Sequence, residues 1–293
     1  MLREVCGIIL SGGLSRRFQV SGESWVDKAL YSINGKTMIE RVYETLQELT
    51  DRIIISTRSL ERVDSYKRVL RREVLYALDV AGLEGPFSGI LSSLRACDRE
   101  YAIITPVDMP HLSQDLLEKL LSKIDRYDVS SVVLPNGVIE FVLSAVRVGV
   151  VREILTLLAE YKRSRIADLY RGAPKTYFLN PAKHGFDPGV IANINRREDL
   201  RRRAKYPEGP VTDDVVLERE FSLRDVRERV YERLRESIWW TIESRDIYSE
   251  LRLYMSRGLF MLAAYTLEDS ENHFERYLGR IILEKLHEDL EFV

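Results

Sequence analysis

Over residues 1–200, short β-rich runs alternate with stretches whose apolar residues recur at helical spacing. Val5–Leu10, Arg52–Ser56, Glu73–Ala77, Tyr101–Thr105, Val129–Leu134 and Glu140–Ala145 read as strands. Between them Met38, Val42 and Leu46, then Ile90 and Leu94, then Leu116, Leu120 and Ile124 mark helix faces. Strands joined by helix-length crossovers run parallel in one sheet. The expected fold is therefore α/β, a Rossmann-like, mostly parallel sheet flanked by helices, with β-α-β order throughout. Such sheets take ligands at the carboxyl ends of their strands, so the loops after Leu10 and Thr105 are the first places to look. With 45% apolar and 31% charged residues, the chain can bury a core and falls outside the disordered class.

After Leu200 the pattern changes to Arg201-Arg202-Arg203-Ala204-Lys205 and then Tyr206-Pro207-Glu208-Gly209-Pro210, a charge run followed by a Pro/Gly stretch. A boundary there divides the chain into residues 1–205 and a small all-α domain, residues 206–293. Ser222 with Asp225 resembles an N-cap for a helix through Leu223, Val226, Val230, Leu234 and Ile238. A second pattern runs through Ile247, Leu251, Tyr254, Met255, Leu259 and Leu262. A third opens near Ser270 and runs through Phe274, Leu278, Ile281 and Leu286. Trp239 and Trp240 lie roughly 100° apart on a helix, and a unit this small can hardly bury both. One indole is expected against the first domain or a second chain, so a packing extension, self-association and a protein partner all remain open for the tail.

The net charge of −2 conceals a division. Residues 206–293 hold 12 Lys/Arg against 20 Asp/Glu, a balance of −8, leaving +6 on residues 1–205. A mildly basic first part suits a phosphorylated small molecule. Nucleic acid would call for a denser basic stripe with interleaved aromatics, which is absent. The apolar runs fall far short of the roughly 18 residues that span a bilayer, and no signal-peptide pattern follows Arg3 and Glu4. The expectation is a cytoplasmic protein with no membrane partner. Cys6 and Cys97, 91 residues apart, read as core residues and not as a disulfide or metal ligands.

The chemistry-bearing residues cluster in short motifs. Leu10-Ser11-Gly12-Gly13-Leu14-Ser15-Arg16-Arg17 follows the first strand directly, and its paired glycines and arginines can cradle phosphates. Lys28, in Asp27-Lys28-Ala29-Leu30, supplies a mobile point charge for a triphosphate. Gly35-Lys36-Thr37 invites a P-loop reading, but that motif needs glycine at position 30, where Leu30 stands. It reads as a turn leading into the helix of Met38. Asp108, between Pro106 and Pro110 at the end of a buried strand, is placed to ligate Mg²⁺ bridging phosphate oxygens. Taken alone, Asp108 reads more readily as a cap or turn residue.

Together these residues resemble the molybdenum cofactor guanylyltransferase (MobA) family of the nucleotidyltransferase superfamily, over about residues 3–200. The resemblance rests on Leu-Ser-Gly-Gly-Leu-Ser-Arg-Arg at 10–17, Asp-Lys-Ala-Leu at 27–30, Asn-Gly-Lys-Thr-Met-Ile-Glu-Arg-Val at 34–42, Gly-Pro-Phe-Ser-Gly-Ile at 85–90, Asp-Met-Pro-His-Leu at 108–112 and Ala-Asn-Ile-Asn-Arg-Arg-Glu-Asp-Leu at 192–200. It implies the nucleotide-diphospho-sugar transferase type of fold and transfer of GMP from Mg·GTP to the phosphate of molybdopterin, with release of pyrophosphate. By position it implies that Leu10, Ser11, Gly12, Gly13 and Arg17 hold the nucleotide, with Lys28 on its phosphates. Asp79 falls at the guanosine, Gly85 and Pro86 at the base, Asp108 at the magnesium, and Asn193 and Asn195 on the pterin side.

The chain also departs from that pattern. The stretch from Phe18 to Val26 runs about five residues longer than usual, which loosens the placement of Lys28, and Gln19 stands where a glycine normally follows. Ser56 replaces an asparagine near the nucleotide, Arg196-Arg197 replace Thr-Pro, and the tail has no counterpart. Another phosphorylated acceptor, such as a cobinamide phosphate or sugar phosphate, therefore stays open, as does an inactive binding or delivery protein.

Overall fold

The computed structural model describes residues 4–80, 82–83, 85–218 and 247–288. The helix expected over Leu223–Ile238 and the Trp239-Trp240 pair lie outside the described residues. Strand β1 (Val5–Leu10) is buried along nearly its whole length, as a strand covered by helices on both faces must be. A small hairpin of β2 (Ser32–Ile33) and β3 (Lys36–Thr37) leads into α1 (Met38–Gln47). Asn34 and Gly35 take left-handed φ values of 50° and 84° at its turn, so Gly-Lys-Thr is a hairpin feeding a helix. Thr37 caps that helix: its side chain accepts the Glu40 N–H, and the Glu40 carboxylate accepts the Thr37 N–H.

Then follow β4 (Arg52–Thr57), α2 (Leu60–Leu70), β5 (Leu75–Leu78), α3 (Gly85–Ala96), β6 (Tyr101–Pro106), α4 (Gln114–Leu121), β7 (Val129–Val133), β8 (Ile139–Arg147), α5 (Val148–Glu160), α6 (Ile166–Gly172), β9 (Lys175–Leu179) and β10 (Val215–Glu218). The main sheet has the order β10-β9-β7-β8-β6-β1-β4-β5. Strands β6, β1, β4 and β5 are mutually parallel, and β7 is parallel to β9. The sheet is mixed but mostly parallel, because β8 runs antiparallel to both β6 and β7, and β10 antiparallel to β9.

The expected β-α-β order therefore breaks between β7 and β8. No helix connects them; they form a hairpin closed at Pro135-Asn136-Gly137, where Gly137 has φ 82° and the Leu134 N–H donates to the Val138 carbonyl. Asn-Gly is turn chemistry that a tight antiparallel connection uses. Strands β9 and β10 also escape the sequence pattern, and β10 adds an edge strand beyond residue 205. The chain steps from β1 to β4 to β5 in one direction and then returns past β1 to β6. This reversal opens a crevice at the carboxyl ends of β1 and β6.

Cys6 on β1 and Cys97 just after α3 are both buried, as expected of core residues, but they are joined in a disulfide with Cα atoms 6.2 Å apart. The expectation of unpaired cysteines is thus corrected. A separation of 91 residues carries no pairing signal; the proximity arises because α3 packs on β1 and its end delivers Cys97 beside the start of β1.

The tail contributes α7 (Ile247–Ser256), α8 (Phe260–Glu268) and α9 (His273–Glu288). The second helical pattern of the sequence is two helices, interrupted at Gly258 with φ 72°. These helices form a helical region that packs on the α/β part. Tyr254, Leu259 and Leu262 are fully buried in one hydrophobic cluster with the sheet. A buried ionic network reinforces the junction. Arg171 on α6, 1% exposed, donates two hydrogen bonds to Glu250 of α7 at 2.8 and 2.7 Å and further bonds to Asp168 and Asp269. Arg163 also bonds both aspartates. Burial alone would push the Asp269 carboxyl up, but the bonds from Arg163 and the charge of Arg171 hold it below the usual range. Among the described residues no helix is long and apolar enough to cross a membrane. Removing one member of a buried ionic network leaves the others unpaired. Arg171→Ala is expected to lower unfolding free energy by roughly 3–5 kcal/mol, measured by urea denaturation of the full chain.

Candidate active site

At the switch-point crevice, β1 gives way to the glycine loop. The Leu10 carbonyl still accepts the Val107 N–H and the Ser11 N–H still donates to the Ser56 carbonyl, so the chain leaves the sheet after Ser11. The loop is pinned from below. Arg62 on α2 donates to the Ser11 carbonyl at 2.9 Å and the Gly13 carbonyl at 3.0 Å. The same guanidinium pairs with Asp27 at 3.2 Å. Tyr66 completes the support, its hydroxyl donating to Asp27 at 2.9 Å and meeting the Ser11 hydroxyl at 2.7 Å. Burial and then the Asp27 carboxylate push the Tyr66 phenol up, so it remains a donor at ordinary pH. With two loop carbonyls turned toward Arg62, the N–H groups of Gly12 and Gly13 have no protein acceptor among the described residues, the condition for an anion-binding turn.

Lys28 crosses this loop to reach Asp108, its Nζ 2.7 Å from the carboxylate. Asp27 places it by capping a short 3-10 turn over Lys28–Leu30, accepting the Ala29 N–H at 3.1 Å. The Phe18–Val26 stretch before it is closed by Gln19. Its side-chain amide donates to the carbonyls of Ser15 and Val26 and accepts the Val26 N–H. The intervening residues are thereby looped out between two clamped ends. Arg17 sits exposed on the 3-10 turn Arg16–Phe18.

On the β4–β5 side, the buried Ser56 hydroxyl donates to Asp79 at 3.1 Å. Two glycines make room for this pair. A methyl group on Gly12 would stand 2.9 Å from the Asp79 carboxylate, and one on Gly89 would stand within contact of the Ser56 hydroxyl. Gly85, with φ 68°, begins α3 and is followed by Pro86 in its first turn, where proline is tolerated.

On the β8 side lies a second cleft, of about 550 Å³ including its open mouth, lined by Glu140, Asn193, Asn195 and residues of the 188–207 segment. The Ile194 N–H donates to the Asp108 carbonyl at 2.8 Å, which fastens the Asn193–Asn195 stretch beside the Lys28–Asp108 pair. The Asn193 side-chain amide donates to Glu140 at 3.5 Å. Burial, then the charge of Asp108, outweigh that bond and push the Glu140 carboxyl up to about 7. The arrangement thus sets a loop and the Ser56–Asp79 pair on one side of Lys28 and Asp108, and Glu140 with the asparagines on the other. Arg62, Tyr66 and Glu140 escape the sequence analysis. Arg62 and Tyr66 carry no local signal, whereas a lone glutamate opening an otherwise apolar strand after an Asn-Gly turn is one that could find Glu140.

A doubly wound sheet with a glycine loop and a lysine–aspartate pair at its switch point belongs to the class of enzymes that handle nucleotide phosphates. The sequence profile of the MobA-like NTP transferase domain matches residues 7–174, more than half the chain, and the protein belongs to that family of nucleotidyltransferases. A probable molybdenum cofactor guanylyltransferase from Bacillus cytotoxicus is 33% identical over 165 residues, covering 56% of this chain and 78% of that protein. A relative of the same description from Methanosarcina acetivorans is 27% identical over 203 residues, 66% of this chain and 87% of its own length. Among solved structures, molybdopterin-guanine dinucleotide biosynthesis protein A from Archaeoglobus fulgidus superposes with a TM-score of 0.54 at 20% identity, over 67% of this chain and 95% of that one. Bifunctional IspDF from Campylobacter jejuni gives 0.55 at 14% identity over 68% and 53%. The two superpositions establish the fold alone.

The Glu140 carboxyl also predicts a pH dependence. Its ordinary value is 4.5 and its folded value about 7, so between these the folded state keeps a proton that the unfolded state has lost. Stability therefore falls as pH rises through that window and levels off above it. Glu140→Gln removes the burial of charge. It is expected to exceed the wild type in stability at pH 8 by up to on the order of 3 kcal/mol, the gap closing at pH 5, as measured by urea denaturation at both values.

Proposed function

We propose that the protein transfers GMP from GTP to the phosphate of molybdopterin, forming the guanine dinucleotide and releasing pyrophosphate. The observation that carries this reading is the Lys28–Asp108 pair, seated between the glycine loop and the Asn193–Asn195 cleft in a chain whose relatives are named for that transfer. An oxygen of the acceptor phosphate attacks the α-phosphorus of GTP. The new P–O bond forms as the α–β bridge breaks, and pyrophosphate departs with the bonding electrons.

The N–H groups of Gly12 and Gly13, with the backbone at Leu10 and Ser11, cradle the phosphates, and Arg17 adds charge at the rim. Asp79, held by Ser56, takes the guanosine, while the Gly85-Pro86 turn faces the base. Lys28 neutralises charge that builds on the five-coordinate α-phosphate. Asn193 and Asn195 orient the acceptor. In this reading the protein works in the cytoplasm with Mg²⁺. The residues fit that ion: Asp108 is a single carboxylate, one-fifth exposed and already facing a cation, and among the described residues no group of three or more His, Cys, Asp or Glu could hold a metal alone. Mg²⁺ is bound through one or two carboxylates together with substrate phosphates. Asp108 would hold it, and the ion would supply positive charge to offset the negative charge of the phosphates.

The test is pyrophosphate release by the full chain with Mg²⁺ and each of the four nucleoside triphosphates, with and without molybdopterin. Release confined to GTP with molybdopterin is expected. Equal use of CTP, or release driven by a sugar phosphate instead, rejects the reading. In the same assay Asp108→Ala should lose about 10²-fold or more of turnover with its melting temperature retained. Lys28→Arg should recover only part of what Lys28→Ala loses, since a planar fork does not replace a point charge.

A further inference from the structure

Glu140 has the surroundings of a recognition residue. Its side chain lies in a residue only 8% exposed, at the wall of the cleft beside the reaction centre. One carboxylate oxygen takes the long 3.5 Å bond from Asn193, and the described residues offer the other oxygen no hydrogen bond. A mostly buried carboxylate with a single long hydrogen bond is costly to keep, and its second oxygen is left to take donors that arrive from the cleft.

The sheet decides which ligand can bring them. Strand β8 is antiparallel to β6, with Ser144 opposite Ile104, so continuing the register puts the start of β8 level with Asp108. Asp79 follows β5, at the far edge of the sheet beyond β1 and β4. The two carboxylates therefore flank the Lys28–Asp108 pair from opposite sides. The remaining walls suit a flat ring. Pro188 and Ile191 stand on one segment and Tyr206 and Pro207 on another. Tyr206 is fixed by its hydroxyl, which donates to the Phe186 carbonyl at 2.9 Å. Those latter walls come from a stretch that reads in sequence as a linker.

We propose that Glu140 is the specificity-determining residue for the acceptor, its carboxylate accepting two adjacent N–H donors on the edge of a planar heterocycle seated between these walls. This rests on the acceptor being a pterin phosphate, whose 2-amino-4-oxo ring carries such a pair of donors. The phosphate end then points toward Lys28 and Asp108.

The experiment uses the full chain at pH 8 in two arms. In the transfer arm, Glu140→Gln is expected to raise KM for molybdopterin about 10–100-fold, with kcat at saturating acceptor and the Kd for GTP little changed. In the binding arm, 6-hydroxymethylpterin is titrated by its fluorescence. The wild type should bind it without competition from GTP, and Glu140→Gln or methylation of the ring N3 should weaken binding by a similar factor. Glu140→Asp, which retains the charge, should recover part of the loss, an outcome that a packing role would not produce. Wild-type transfer with an unchanged acceptor KM in Glu140→Gln overturns the assignment of Glu140 and leaves the proposed reaction standing. Absence of transfer combined with Glu140-dependent pterin binding supports the assignment and rejects the reaction. Failure of the wild type in both arms rejects the two together.

Discussion

The central constraint is the position of β1, hydrogen-bonded in parallel to β4 on one side and β6 on the other. A strand so enclosed must be apolar throughout, and its end is the one place where the chain can leave the sheet with neighbours on both sides. Because the connections turn opposite ways from this strand, the glycine loop and the Asp108 turn open onto one crevice. The site's chemistry follows from that reversal: the loop carries exposed N–H groups, β6 ends in a carboxylate, and Lys28 is folded back between them.

Precision at this site comes from side chains that touch no candidate substrate position. Arg62 and Tyr66 hold the carbonyls of the loop and the Asp27 cap, which fixes where Lys28 begins. Gln19 closes the base of the Phe18–Val26 loop with three hydrogen bonds, which fixes the chain just before Asp27 and Lys28.

The antiparallel β8 has a comparable consequence on the other flank. In an all-parallel sheet, the start of a strand lies far from the ligand face. Reversing one strand brings a residue from its beginning, Glu140, to the level where the other strands end. The β7–β8 turn also meets the tail: a side chain on Gly137 would collide with the backbone at Gly258, and the Met261 N–H reaches the Gly137 carbonyl. The tail is therefore coupled to the strand that carries Glu140 through the hairpin and to α6 through the Arg171 network.

The sequence by itself determined the class of sheet, four of the central strands to within a residue at each end, the turn at Asn34-Gly35 and the order of the loop, lysine and aspartate motifs. Those features are legible because periodicity and turn chemistry act over a few residues. It did not determine the reversal of β8, the edge strands β9 and β10, the Cys6–Cys97 bridge, the break at Gly258 or the support from Arg62, Tyr66 and Gln19. Strand direction depends on which neighbours a strand finds, and a bridge or buried ion pair depends on distances between segments tens of residues apart. Glu140 shows the difference most clearly. As a letter it is a polar residue opening a strand, and only the antiparallel register opposite β6 places its carboxylate beside Asn193 and within the field of Asp108.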